Sequence, residues 1–513
     1  MVIMNCISNG KRVFPSLLLV ALTASFTLSL GPTALADEPA APAAAAGDAT
    51  AKKSSPPAVP EPRAFKMPAV EEYQLPNGMN VQLVPDRRTP FVTFGMGIKS
   101  GSALEPREKR GLADVTAGMI SEGTKTRTSK QIAEEVDFIG GGLSAGSDPD
   151  FTLISGSSLS QFKDRLFAVL ADVVLNPIFP EDELKLQKTN ITQGIINRRS
   201  DPGFLGDERF AKVVYGEHPY SVSLPTPENI AAIKREDVVN WHKQHFLPNE
   251  TYLVVVGDFK VPEMKALIDK AFETWKPGRL NELAEGQLPK LTGQRIYLVD
   301  RPGSVQSTIK VGNLGIKRTD PDYFPVLVAN QILGGGGNAR LFLNLREQKG
   351  YTYGAYSHFS PHRDAGTFAA EADVRSEVTG PALKELLAEL GKMRDGEVSD
   401  KELRESKSYI VGSYQLGLET QGSIAQRLLD AKLFGLPKDY LEKYSQNVMA
   451  VTVADVHRVA RSHMDLDNLT ITVVGDAAKV KNDLTPFAPI ELYDIQGKFV
   501  TSPSQDKRGD AGG

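Results

Sequence analysis

The sequence predicts an α+β fold made of two homologous domains. Three observations carry this: an internal repeat of about two hundred residues, a chain too long for one core, and strand-type and helix-type patterns mixed through both halves. The repeat is the most specific. "DVVNWHKQHFLPNETYLVVVGD" (Asp237 to Asp258) aligns without gaps to "DVHRVARSHMDLDNLTITVVGD" (Asp455 to Asp476) at an offset of 218 residues. Identical pairs are Asp237/Asp455, Val238/Val456, His245/His463, Val255/Val473, Val256/Val474, Gly257/Gly475 and Asp258/Asp476. Each copy reads as helix, turn and buried strand. A period this long marks a duplicated domain rather than a solenoid. At 513 residues the chain also exceeds what a single hydrophobic core supports.

The chain is expected to open with a signal peptide, residues 1–36. Lys11 and Arg12 precede an apolar run from Val13 to Leu30, and Ala34-Leu35-Ala36 fits a small-x-small cleavage site. Cleavage before Asp37 would place the mature protein in the periplasm or otherwise outside the cytoplasm. It would remove the one cysteine, Cys6, and shift the formal charge from −4 to −6. The mature chain would then rest on its packed core, without disulfides. No other run is long and apolar enough for a membrane span. The charge is nearly balanced, 59 Lys+Arg against 63 Asp+Glu, with no large basic block, which argues against a nucleic-acid partner. Residues 37–68 are Ala- and Pro-rich with almost nothing to bury, and read as a disordered linker.

The N-terminal domain, residues 69–276, should begin with a hairpin: Tyr73-Gln74-Leu75 and Met79 to Leu83 flank Pro76-Asn77-Gly78. Val92, Phe94, Met96 and Ile98 alternate with small or polar residues, the pattern of a half-buried strand. Leu112, Val115 and Met119 mark a helix. A second helix starts at the capping box Thr128-x-x-Gln131 and runs to a stop at Gly140-Gly141-Gly142. "FTLISGSSL" is a strand, and Phe162, Leu166, Val169 and Val173 mark a long amphipathic helix. A polar linker, 277–293, leads to the C-terminal domain, 294–494. There "RIYLVDRPGSVQSTIKVGNLG" reads as two strands around a turn. A helix from Tyr323 to Leu333 ends at Gly334, Gly335, Gly336 and Gly337, and a short helix follows from Ala339 to Glu347. Residues 495–513 are polar and Gly-rich at their end and read as a flexible tail. Each domain should be an antiparallel-dominated sheet with helices on one face, the two packed in pseudo-twofold fashion.

The ordered succession "NGMNVQLV", "GIKSGSALEPREKRGLADVTAGMISEGT", "IGGGLSAGSDPDFT", His218-Pro219-Tyr220 and "VVVGD" resembles the N-terminal domain of pitrilysin/insulinase-type metallopeptidases. "DRPGSVQSTI", "LGGGGNARLFLNLREQKGYTYG" and the second "VVGD" resemble their C-terminal domain, so the resemblance spans nearly all of Met67 to Leu492. It implies an inverted zinc motif, H-x-x-E-H, on the first helix and a Glu on a later one. Two imidazoles one turn apart bind the metal, and the Glu activates water. Here the matching positions hold Asp114, Ala117 and Gly118, with Gly194 where the third ligand belongs. One carboxylate cannot hold a catalytic zinc, so no metal is expected on this chain.

Other histidines do not replace the motif. His242 and His245 lie three apart on the repeated helix, and His358 and His362 lie on a strand and its turn. The first pair reads as surface or helix-end histidines, and the second is an equally poor candidate for metal ligation. The resemblance also implies a substrate-handling pair, Arg346 and Tyr353, directed in the family at a zinc site across a chamber. An Arg fork can clamp a peptide carbonyl, and a Tyr hydroxyl can donate to an oxyanion. Tyr351 is a neighbour, but the spacing favours Tyr353. Gly334–Gly337 lacks the Lys-Ser/Thr of a phosphate loop, and reads as a close-approach turn beside a peptide channel. The resemblance thus implies a non-catalytic subunit whose partner, a zinc-bearing chain of the same family, contributes the metal for cleavage of peptides. The alternative is an inactive homodimeric peptide-binding or scaffold protein of the cell envelope. No Ser/His/Asp arrangement suggests a separate hydrolase.

Overall fold

The computed structural model describes residues 67–280 and 286–501. The expected signal peptide and almost all of the Ala/Pro-rich linker lie outside these residues. In the first lobe the elements run β1 (Glu71–Gln74), β2 (Asn80–Pro85), β3 (Phe91–Ile98), α1 (Leu112–Met119), α2 (Ser129–Phe138), β4 (Gly142–Ser147), β5 (Thr152–Leu159), α3 (Lys163–Leu175), α4 (Glu181–Arg198), α5 (Pro202–Tyr215), α6 (Pro227–Ala232), α7 (Arg235–His245), β6 (Thr251–Gly257) and α8 (Val261–Phe272). The second lobe runs β7 (Arg295–Asp300), β8 (Gln306–Gly315), α9 (Tyr323–Leu333), α10 (Arg340–Phe342), a π-helical turn (Leu343–Gln348), β9 (Thr352–Ser360), β10 (Gly366–Arg375), α11 (Thr379–Asp395), α12 (Asp400–Leu416), α13 (Gln421–Leu433), α14 (Tyr440–Ala450), α15 (Val453–His463), β11 (Thr470–Gly475), α16 (Ala477–Leu484), β12 (Ile490–Tyr493) and β13 (Phe499–Thr501).

The local signals produce the local structure they encode. Gly78 turns the first hairpin at φ +91°, which only glycine adopts without cost. The capping box at Thr128 closes both ways: Gln131 N–H donates to the Thr128 hydroxyl, and Thr128 N–H to the Gln131 side-chain oxygen at 2.9 Å. The repeated unit folds twice as helix, turn and buried strand, α7–β6 and α15–β11.

The duplication extends to the sheets. The first has strand order β1-β2-β6-β3-β5-β4 and the second β13-β12-β7-β11-β8-β10-β9. In both, the repeated strand pairs parallel to the first strand of the unit (β2 with β6, β7 with β11) and antiparallel to the second (β3 with β6, β8 with β11). Both sheets are thus antiparallel-dominated mixed α/β layers, as the composition of elements predicts.

Each lobe's own helices cover one face of its sheet. Val92, Phe94, Met96 and Ile98 of β3 are fully buried on that face, with Leu166, Phe167 and Leu170 of α3 and Met264 and Ile268 of α8. The opposite face is not left to solvent, so β3 is buried on both sides rather than half-buried. Helix α13, from the second lobe, packs on β3 and β6, and α5, from the first lobe, packs on β8 and β11. The exchange is reciprocal, and the two helices begin at positions separated by nearly the repeat offset.

Small residues make the exchange possible. Ala425, Leu429 and Leu433 of α13 lie in one cluster with Val254 and Val256 of β6. A Cβ on Gly97 would stand 2.7 Å from Leu433 Cδ1, and one on Gly95 would touch Leu429 at 3.7 Å. Burying each leucine contributes about 1.5–3 kcal/mol. On the other sheet Phe204 and Leu205 of α5 pack with Val299 and Val474. The buried Lys310 of β8 pairs with Asp207 of α5 and, at 2.9 Å, with Glu371 of β10. Gln421 donates to Asp86 O at 2.9 Å and Lys432 to Glu72 at 3.0 Å, adding polar ties between the lobes.

Two boundaries differ from expectation. The stretch after Ala339 is not one short helix: a three-residue α turn passes into the π-helical turn, in which Lys349 N–H reaches back five residues to Asn344 O while Leu341 and Leu345 both stay in the core. The chain also stays ordered past 494. β13 pairs antiparallel with β12, Phe499 packs edge-on against Tyr493, and Arg209 of α5 stacks over Tyr493 and donates to Gly497 O. Residues 495–501 therefore belong to the second sheet rather than to a tail.

Gly97→Val places two methyls against Leu433 where hydrogen stood. We expect it to destabilise the chain by about 1–3 kcal/mol, measured by denaturant unfolding, whereas Gly391→Ala, which meets open space, should leave stability unchanged or slightly raised.

Candidate functional site

Helix α1 holds the positions at which a zinc motif would stand, and a distant carboxylate anchors its start. Gly111, at φ +94°, offers no side chain to cap the helix. Glu105 does so instead, accepting the N–H groups of Gly111 at 2.9 Å and Ala113 at 2.6 Å. Burial pushes its carboxyl up to about 7, against those two bonds and the nearby Arg110. Helix α1 packs on α4, α7 and β4.

From this anchored start, Asp114 is solvent-accessible, yet the protein around it raises its carboxyl above the ordinary range, opposed by the Ser147 backbone N–H. Ala117 is fully buried. A Cβ on Gly118 would lie 2.7 Å from Gln187 Nε2 of α4, so that amide fills the space of the missing side chain. Gly194 lies seven residues after Gln187, on the same face of α4, and a Cβ there would meet nothing within 4 Å. The four positions thus present one carboxylate and no imidazole, beside a glutamine amide. This donor set does not fit a catalytic zinc, which takes three protein ligands from His, Cys and carboxylates. Gln187 was missed by sequence reasoning; its helical phase with Gly194 was the available signal.

The other histidines have partners within the fold, and His245 is buried rather than at the surface, because it stacks on Trp241. His242 bonds Val174 O through Nε2 at 2.9 Å, between Phe179 and Phe246. His245 stacks on Trp241 at 3.7 Å and bonds the Ser100 hydroxyl at 2.8 Å. Burial pushes both down to about 4. His358 is also lowered by burial, 4.0 Å from Glu371. His362 lies 3.7 Å from Asp150, which also accepts from Tyr220 Oη and from Arg363 N–H at 3.0 Å. Burial would raise the Asp150 carboxyl, but bonds from His362 and Tyr220 outweigh it and hold it low. His218-Pro219-Tyr220 thus serves a tie between the lobes. Asp320, Asp322 and His463 also converge, but both oxygens of Asp322 are engaged by Arg458 at 2.7 and 2.9 Å, a cation where a metal would need room.

At one end of the second sheet the π-helical turn carries Arg346. Its Nη1 donates to Tyr353 O at 2.7 Å, and its guanidinium lies 4.9 Å from the Phe342 ring centroid. The structure therefore joins Arg346 to Tyr353 through the backbone, leaving Tyr353 86% exposed at the start of edge strand β9. The neighbouring glycines divide. Gly334 abuts Ser357 of β9 too closely for any Cβ, and Gly335 meets Gln331 at 2.5 Å, whereas Gly336 and Gly337 meet nothing closer than 3.6 Å. The first two permit close approach, while at the last two a side chain would make only ordinary contact with Gln331 or Phe342.

The profile described as "Insulinase (Peptidase family M16)" matches residues 80–224, and that described as "Peptidase M16 inactive domain" matches residues 232–410. The chain belongs to the insulinase (M16) peptidase family. The second description is that of the domain carrying Arg346 and Tyr353. Among M16 relatives, an uncharacterized zinc protease of Bacillus subtilis is 26% identical over 399 residues, 76% of this chain and 95% of that one. A protein of Helicobacter pylori described as a non-peptidase homolog is 22% identical over 397 residues, 76% and 90%. A crystal structure of a peptidase M16 inactive domain from Pseudomonas fluorescens superposes with TM-score 0.74 at 27% identity, covering 79% of this chain and 98% of that one. A Helicobacter pylori protease of the same fold gives 0.75 at 23%, covering 80% and 100%.

A histidine buried neutral must take up a proton against its surroundings, so its share of stability is full above its ordinary pKa and is lost as pH falls toward 4, by about 1.4 kcal/mol per pH unit per group. We expect the acid-dependent loss of unfolding free energy between pH 6.5 and 4.5 to be smaller in His242→Gln and His245→Gln than in the native chain. Equal slopes would place these imidazoles in water.

Proposed function

We propose that this M16 chain is the non-catalytic subunit of a heterodimeric zinc metallopeptidase. A second M16 chain, bearing an intact H-x-x-E-H helix, would hold the zinc. This chain would contribute Arg346 and Tyr353 to substrate binding and transition-state stabilisation. The observation that carries the reading is a contrast within one molecule: the α1 positions lack every imidazole, while Tyr353 is held with its phenol facing outward by the bond from Arg346 to its backbone.

The chemistry rests on the side chains. The Tyr353 hydroxyl can donate to the oxyanion that forms when water attacks a scissile carbonyl. Arg346 has N–H groups beyond the one on Tyr353 O, and these can bind a peptide carbonyl. The free edge of β4 supports an extended peptide as the ligand. Residues Gly142–Ser147 end the first sheet, and Ser147 lies beside Asp114. An edge strand presents unpaired N–H and C=O groups to which an extended chain adds as a further strand. Substrates of this kind are unfolded or short peptides. The N-terminal segment supports export to the periplasm, and among the described residues no helix is long and apolar enough to cross a membrane.

The test is co-expression of the mature chain with an exported zinc-motif M16 homologue from the same genome, followed by cleavage of an unstructured peptide. We expect Arg346→Ala and Tyr353→Phe each to lower the rate by roughly ten- to a thousandfold. Unchanged rates in both would contradict a shared site.

A further inference from the structure

The turn that carries Arg346 is itself unusual. From Leu343 to Gln348 the backbone is π-helical. Lys349 N–H reaches Asn344 O at 3.0 Å, five residues back, and Tyr351 N–H reaches Leu345 O at 2.9 Å, six back. A π turn fits one extra residue into the helix, so the residues after it are rotated by about 100° from where an α-helix would place them. Such turns are rare and must be held by their surroundings. Here the holding group is Asn344, 6% exposed. Its Nδ2 donates to Glu385 Oε2 at 3.0 Å and to Glu389 Oε1 at 2.7 Å, on successive turns of α11. Each carboxylate has its own cation, Lys349 at 3.1 Å and Lys392 at 2.7 Å. The side-chain oxygen Oδ1 of Asn344 has no partner among the described residues, so the side-chain amide is oriented through its N–H groups alone. Leu345, fully buried, fixes the next residue, and Arg346 then emerges over Phe342 to grip Tyr353 O.

We infer that Asn344 is a positioning residue: its amide, clasped between Glu385 and Glu389, locks the π turn that aims Arg346 and, through the Tyr353 carbonyl, the Tyr353 phenol. The catalytic consequence rests on the shared-site reading above. The geometric claim does not, and it has its own readout.

Asn344→Ala removes both donors. Asn344→Asp also puts a third carboxylate beside two others. Asn344→Asp combined with Glu385→Gln and Glu389→Gln reverses the polarity of the pair of bonds, moving the donors to positions 385 and 389. The experiment uses the full mature chain, alone for amide hydrogen exchange and co-expressed with the zinc-motif homologue for kinetics. In Asn344→Ala and Asn344→Asp we expect amides from Leu345 to Tyr351 to exchange at least about tenfold faster. We expect kcat to fall by about ten- to a hundredfold with KM little changed, since misplacement by an ångström has that cost. In Asn344→Ala the melting temperature should stay near native, while Asn344→Asp should lower it; the polarity-reversed variant should recover exchange protection and kcat together. Native exchange in Asn344→Ala overturns the inference. So does a loss of activity that tracks loss of the folded state, or that the reversed pair fails to rescue. If Arg346→Ala leaves the complex at its native rate, the shared site falls, and the exchange data still decide what holds the turn.

Discussion

The reciprocal exchange of α5 and α13 turns two sheets into one molecule. A duplicated domain could present two independent sheets, each with one wet face. Here each lobe lends one helix to the other, and the central strands of both sheets are covered on both faces. The contact needs glycine at Gly97, where any side chain meets Leu433. It also needs a buried lysine, Lys310, neutralised by carboxylates from both lobes. Breaking one partner of such a pair would leave an uncompensated buried charge. The lobes therefore hold a fixed relation, tied further by Tyr220, Asp150 and Arg363.

That fixed relation governs what the site residues can do. Helix α1 is held at its start by Glu105 and packed against α4, so its face is as rigid as a metal site would require. Together α1 and α4 place there one carboxylate, a buried methyl, two glycines and the amide of Gln187, a donor set that does not fit a catalytic zinc. At the far end of the second sheet the same rigidity serves a different purpose. A π turn, an aromatic ring and a backbone carbonyl hold Arg346, and the Tyr353 phenol stands free. The proposal of a shared site rests on this contrast between the two regions.

Much of the fold was legible from residues. The pairs Asp237/Asp455 to Asp258/Asp476 revealed the duplication, and Thr128/Gln131 and Asn77-Gly78 placed a helix start and a hairpin, because these signals are local. The exchange was not legible: the apolar face of α13 says that it packs, not on which sheet. Its trace lay in Gly95 and Gly97, which looked like the solvent face of a strand and are a landing site for leucines. The π turn was hidden for a similar reason. Leu341 and Leu345 have ordinary helical spacing, and the carboxylates that hold Asn344 arrive from about forty residues downstream. The missing metal ligands could be read directly, since the absence of imidazole needs no coordinates. The space-filling role of Gln187 required them.

Metal content decides whether this chain can by itself assemble a hydrolytic zinc centre. The mature chain, purified alone and equilibrated with zinc, should carry well under one ion per molecule by elemental mass spectrometry, and should show no chelator-sensitive cleavage of an unstructured peptide. One tightly held zinc per chain, accompanied by cleavage that a chelator abolishes and zinc restores, would contradict the account.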